Sequence, residues 1–396
     1  MSESRRHVVV AGAGVAGLET ALALQALAAE HVSVELIAPE TEYVYRPLSV
    51  AEPFRVGEMR RFPLARLVES AGAELRRGAV VAVDPEEKRV ALTDASSVEY
   101  DVLVLALGAI PLPAVPGALT FRGLHEDSEE LARLLERATT RDLGPLAFAV
   151  PAGATWPLPL YELALLTGEY LSEHLTHAEV TLVTPEERPL ALFGGRASEG
   201  IAQLLEMRGI VLRTGETAVA FEDGALRLAD GGTVIADAVV ALPRLEGPRL
   251  DGIPQDDHGF VPTDEYGRVA GLTDVYAAGD LTQSPIKQGG VAAQEADAAA
   301  EAIAADAGAP VQPTPCRPVL RGLLLTGFVP RYLRHEEDGA SVMDTQPLWW
   351  PPGKIVGRYL SPFLAEHLGL AAGSQTPPAD AISVEVALDR PAWTPI

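Results

Sequence analysis

An almost unbroken apolar run covers residues 7–11, and an alanine-rich stretch opens immediately afterwards at Val15. A strand without polar alternation is buried on both faces, which predicts a parallel sheet covered by helices. Val32-Ser-Val-Glu-Leu-Ile-Ala supplies the next strand, so residues 7–40 read as strand, helix, strand. From 78 to 111 the pattern changes to short strands at 79–83 and 89–92, then a fully apolar one over 100–108. A second unit of the same kind follows between 112 and 240: a helix over 126–138, a strand over 146–150, a helix over 161–174 and a strand over 179–184. Another alanine-rich helix is predicted over 291–305, and from about 310 the composition turns to proline, leucine and aromatics. The pattern predicts an α/β protein.

With 396 residues, 47% of them hydrophobic, the chain is long enough for two or three domains with their own cores. Its 55 acidic residues outnumber 31 lysines and arginines, giving a net charge of −24. That charge excludes nucleic acid as a partner and opposes anionic lipid, leaving small molecules or cationic proteins. Only Lys88, Lys287 and Lys354 are lysines, which makes Lys287 easier to single out. Cys316 stands alone, so there is no intrachain disulfide, no thiol redox pair and no site built from several cysteines; no metal site is expected. Arg5-Arg6 before an apolar run looks like an export signal, but cleavage there would discard the glycine turn described next. The longest uncharged stretch, 102–119, contains Pro111, Pro113 and Pro116, which argues against a spanning helix. The expected location is cytoplasmic.

Between the first strand and helix lie Gly12, Gly14 and Gly17. At this spacing the first glycine allows a tight turn, the second lets backbone N–H groups approach a diphosphate, and the third lets the helix pack on the strand, with the helix N-terminus facing the phosphates. An acid that holds a ribose should close the second strand, but Ala38 stands there and Glu40 is the nearest carboxylate. Gly108, at the end of the apolar strand, suits a close backbone approach to a cofactor or a crossover between domains. The second unit offers only Gly153 at the corresponding turn, followed by Trp156, Pro157 and Pro159, which would crowd a pyrophosphate.

With Asp274-Val-Tyr-Ala-Ala-Gly279-Asp280 added, the glycine turn and the strand ending at Gly108 make residues 7 to about 305 resemble the two-dinucleotide-domain flavoproteins of the pyridine nucleotide-disulfide oxidoreductase type. Tyr43-Val-Tyr-Arg46-Pro47-Leu48 and Pro285-Ile-Lys287-Gln288-Gly289-Gly are similar to the sulfide:quinone reductase and type II NADH dehydrogenase branch. The resemblance implies two Rossmann-like three-layer domains: FAD-binding parts over 1–111 and 241–305, an NAD(P)-binding-like domain over 112–240, and a C-terminal module over 306–396. It also implies FAD, with Asp280 on the ribityl chain, Arg46-Pro47 beside the isoalloxazine, and Lys287 near its pyrimidine edge. Further contacts fall on Val81, Gly108, Gln288 and Gly289.

In the sulfide:quinone reductases a redox cysteine takes the place of Trp156 and a glutamate matches Glu162. The expectation is therefore an FAD-dependent oxidoreductase without the sulfur chemistry, passing two electrons to a quinone-like or protein acceptor. NAD(P)H as donor and a non-catalytic flavin-binding role are the alternatives. Glu162 reads either as a proton carrier or as a helix-start glutamate held by the dipole. Lys287 reads as a cation for reduced flavin, or as a solvated loop lysine. Trp349, Trp350, Tyr359 and Phe363 fit an acceptor pocket, a peripheral membrane contact, a cap on the flavin domain or a homodimer contact.

Overall fold

Strand Arg6–Ala11 is the centre of a five-stranded parallel sheet in the order Val275–Ala277, Val102–Leu105, Arg6–Ala11, Val32–Ala38, Glu74–Arg77. The structure is a computed structural model that describes residues 5–140, 142–176, 178–335 and 339–367. Val8 lies between Val34 on one side and Val102 on the other, and Val8, Val9, Val10 and Ala11 are wholly buried. The uninterrupted apolar run is thus accounted for by burial on both faces. A second five-stranded parallel sheet follows the same logic, in the order Leu119–Thr120, Ala238–Ala241, Leu146–Ala149, Val180–Thr184, Ile210–Thr214. An antiparallel ribbon pairing Ile110–Leu112 with Arg244–Glu246 carries the chain out of the first unit and back.

Several boundaries differ from the sequence pattern for identifiable reasons. The strand expected over 100–108 spans only Val102–Leu105. Beyond it, Ala106 presses against the glycine turn, where a Cβ on Gly12 would lie 2.2 Å from the Ala106 carbonyl oxygen. The helix expected from 161 starts at Leu158, with Pro157 as its cap and Pro159 in the first turn, so Glu162 belongs to the second turn. Strand Glu74–Arg77 carries no apolar signal because it is a solvent-facing edge strand of sequence Glu-Leu-Arg-Arg.

Helices Val15–Ala28 and Gly289–Asp306 pack together through small residues, with Ala16, Ala106, Ala278, Ala292 and Ala296 forming one buried cluster. The C-terminal module begins as an antiparallel sheet of Leu320–Leu324, Arg331–His335 and Ser341–Asp344. From there a strap runs to helix Leu360–His367, whose Leu360 and Leu364 join the core of the first unit. Trp349 is buried in this strap, edge-on to Tyr332 at 5.1 Å, with its indole N–H donating to the Gly353 carbonyl. Among the described residues no helix is long and apolar enough to cross a membrane.

Candidate active site

The glycine turn has the form that a diphosphate requires. Gly12 adopts φ +110°, and a Cβ on Gly17 would lie 1.9 Å from the Gly12 carbonyl oxygen, so both glycines are imposed by backbone contact. Gly14 is different: a Cβ there meets nothing within 4 Å. Gly14 caps helix Val15–Ala28 without a side-chain hydrogen bond, so the first-turn N–H groups face that open space. Gly279 closes the far side at φ +82°, where a Cβ would sit 3.0 Å from Ala16. Glu295 pins this second turn by accepting from the Gly279 N–H at 2.7 Å.

Beyond the turn lies a cavity of about 300 Å³ that brings Arg46, Pro47, Asp280, Lys287, Gln288 and Gly289 together with Glu162 and Trp156 from the second unit. The Asp280 carboxylate makes no hydrogen bond or ion pair with a described residue; burial raises its pKa, while Lys287 and Arg46 pull it back down. Lys287 is 6% exposed, so it is not a solvated loop residue. Its ammonium sits 4.0 Å from the Phe260 ring centroid and donates to the Thr282 carbonyl. Burial lowers its pKa and the Asp280 charge opposes that shift. Gln288 caps helix Gly289–Asp306 by accepting from the Val291 N–H at 2.9 Å. The open turn, the unpartnered Asp280 and the buried cation fit FAD.

The remaining expected contacts lie outside this cavity. Gly108, at φ +70°, has open space where a Cβ would be. Val81 is 46% exposed on strand Val80–Asp84. Glu40 is exposed just past its strand, and its carbonyl accepts from Arg77.

The second unit's turn offers less to a nucleotide. Gly153, at φ +74°, is open, but Pro157 and Pro159 remove N–H donors from the helix entrance. Trp156 lines the cavity edge-on to the buried Phe193, with ring centroids 5.8 Å apart. Glu186 stands just beyond the second strand, where a ribose-binding acid belongs. It accepts from the Tyr161 hydroxyl at 2.6 Å, from Thr184 at 3.0 Å and from the Ala191 N–H at 3.2 Å.

At the deep end, Glu162 is fully buried and ion-paired with Lys354 from the C-terminal strap. It also accepts from the Leu325 N–H at 2.8 Å, while its second oxygen, Oε2, has no partner. Burial raises the Glu162 pKa against the pull of Lys354, and burial lowers that of Lys354. The Tyr45 hydroxyl holds the strap by accepting from the N–H groups of Lys354 and Ile355 at 3.1 and 3.0 Å. Sequence reasoning passed over Lys354 and Tyr45. The scarcity of lysine that marked Lys287 would have marked Lys354 equally.

The fold, the glycine cradle and this cavity define an FAD-dependent oxidoreductase. The chain belongs to the pyridine nucleotide-disulphide oxidoreductase family, whose sequence profile matches residues 6–296. It is 27% identical over 301 residues to a demethylphylloquinone reductase of Synechocystis, covering 71% of this chain and 72% of that protein. It is 23% identical over 310 residues to a type II NADH:quinone oxidoreductase of Staphylococcus aureus, covering 71% and 76%. The sulfide:quinone oxidoreductase structure from Aquifex aeolicus superposes with a TM-score of 0.75 at 21% identity, covering 86% of this chain and 87% of that one, and so shares the fold.

Proposed function

We propose that the protein passes two electrons from a small-molecule donor to a quinone-like or protein acceptor. The observation that carries this reading is the single cavity that joins Asp280, Arg46 and Lys287 of the cofactor side to the buried Glu162–Lys354 pair. FAD supplies the two-electron chemistry when bound. Lys287 offsets negative charge at the edge of the reduced ring, and Glu162 Oε2, buried without a partner, takes or gives a proton at the acceptor. Two of the relatives bear the names of quinone reductases, which supports a quinone-like acceptor.

Sulfide is not the donor in this proposal, because covalent sulfur chemistry needs a reactive thiolate. The single cysteine, Cys316, lies away from the cavity, and burial pushes its pKa up to about 12. NAD(P)H is the second reading, supported by the name of the Staphylococcus relative and opposed by Trp156, the two prolines and the occupied Glu186.

The domain division at 111 and 240 is supported by the ribbon that pairs Ile110–Leu112 with Arg244–Glu246. The cytoplasmic location is supported by strand Arg6–Ala11: removal of that strand as an export signal would take out the centre of a sheet. Glu40 and Val81 remain proposed contacts of the adenosine half.

Anaerobic mixing of holoprotein with NADH, NADPH and sulfide in turn tests the donor, and mixing of chemically reduced holoprotein with a soluble quinone tests the acceptor. Reoxidation by the quinone, with slow or no bleaching by the three donors, is expected. Rapid stoichiometric bleaching by NADH at micromolar concentration would replace the first reading with the second.

A further inference from the structure

The cavity lining contains a cation that neither the FAD site nor the Glu162–Lys354 pair uses. Arg122 lines the cavity and is fixed from behind by Asp127, which is 1% exposed. Asp127 accepts from Nε at 3.0 Å and from Nη2, and also from the N–H groups of Arg122 and Leu124 at 2.7 and 3.1 Å. No described residue accepts from Nη1. The guanidinium is therefore held in one orientation with one edge unspent, so little side-chain freedom is lost when that edge binds an anion.

Arg46 lines the same cavity on the adjoining element, is exposed, and forms no ion pair or hydrogen bond with a described residue. The two segments are packed together: a Cβ on Gly123 would lie 3.0 Å from Ser49 Oγ, and the Ser128 hydroxyl donates to the Ser49 carbonyl at 3.3 Å. The same lining includes the apolar side chains of Val50, Phe121, Leu158, Leu242 and Leu323. In a chain of net charge −24 such a cationic wall is an exception, and anions are repelled by the molecule as a whole. Apolar walls together with one preorganised guanidinium match a flat ring system with an oxyanion at one end.

We propose that the Arg122 side of the cavity is an anion site, and that the acceptor is a quinone-like ring carrying an ionised acidic group held by Arg122. The inference rests on the quinone-like acceptor of the preceding reading and adds its charge. Charge at Arg122 selects the ligand, while the apolar walls hold the ring in either case.

Calorimetric titration of oxidised holoprotein at low salt with 2-hydroxy-1,4-naphthoquinone, ionised at neutral pH, and with neutral 2-methyl-1,4-naphthoquinone separates these contributions. The anionic ring is expected to bind about tenfold more tightly, as a charge-assisted hydrogen bond allows, and the margin shrinks as salt is raised. Arg122→Met combined with Asp127→Asn removes the cation without stranding a buried carboxylate, and should bring the ratio of the two dissociation constants to about one. Arg122→Lys, which can still pair with Asp127 but lacks the fork, should keep part of the preference. Retained flavin absorbance and circular dichroism identify the folded variants. Equal binding of the two rings by wild-type protein, or a preference that survives the double substitution, overturns the anion site and leaves the acceptor reading standing. If neither ring binds, the acceptor reading fails and the anion site fails with it.

Discussion

In the first unit the chain enters its helix through Gly14, with open space before the first-turn N–H groups. In the second it enters through Trp156 and Pro157, with another proline inside the first turn. The strands before both turns are buried and parallel, so the sheets themselves do not distinguish a turn open to a diphosphate from one crowded by prolines and a tryptophan. The difference lies in a handful of backbone donors and in the acid past the second strand. Glu186 is committed to Tyr161, Thr184 and Ala191, whereas the Glu40 side chain is exposed. The same parallel α/β architecture thus carries two turns of different chemistry.

The units also share a feature. The fifth residue of helix Val15–Ala28 is Glu19 and the fifth of helix Leu158–Glu173 is Glu162, and both are fully buried. Both receive the C-terminal segment: Glu19 accepts from the N–H groups of Tyr359 and Leu360 at 2.7 and 2.8 Å, and Glu162 pairs with Lys354. The strap that closes the cavity is thus fastened to equivalent points of the two units. One anchor is a helix cap and the other an ion pair.

The largest expected contrast comes from the turns. Gly14→Val fills the open space before the N–H groups and should yield folded protein without flavin, measured as loss of visible absorbance at unchanged circular dichroism. Gly153→Ala in the second turn, strained at φ +74°, should cost about 1–2 kcal/mol and keep its full complement of FAD. If both variants lose flavin, the distinction between the turns breaks.

Next come the anchors. Glu162→Gln leaves Lys354 buried without its counter-charge and should lower stability by about 3–5 kcal/mol in thermal unfolding; adding Lys354→Met should recover most of the loss. Glu19 behaves differently, because it lies against Asp297 and burial raises both pKa values; hydrogen bonds from the Tyr359 and Leu360 N–H groups and from Asp297 oppose the shift on Glu19, whereas the Glu19 charge adds to that on Asp297 and Arg358 opposes it. The native state keeps protons that the unfolded chain has released, so stability falls as pH rises from the ordinary carboxylate range through neutrality. A lower melting temperature near pH 9 than near pH 6, with the slope flattened in Glu19→Gln, is the expected result. An unchanged slope would separate the Glu19 anchor from the pH response.

The smallest effect is at Lys287. Lys287→Met removes a buried positive charge beside Asp280 and should lower the flavin midpoint potential, with about 30 mV corresponding to 1.4 kcal/mol for a two-electron couple. Spectroelectrochemistry showing an unchanged midpoint with flavin bound would assign Lys287 to structure alone.

The sequence by itself determined the features that neighbouring residues encode. Gly12, Gly14 and Gly17 announce a turn because the backbone conformations and close approaches they permit are local. The apolar strands are legible for the same reason, and a lone Cys316 removes thiol pairs by arithmetic. Tertiary structure alone decided which groups face each other across the chain. Glu162 meets Lys354 across 192 residues, the Tyr45 hydroxyl meets the Ile355 N–H across 310, and Glu186 turns out to be occupied by Tyr161. Edge strand Glu74–Arg77 stayed hidden because a solvent-facing edge needs no apolar pattern. The charge state and availability of a buried side chain depend on its partners, and those partners are set by how the two units and the strap pack together, which no local spacing records.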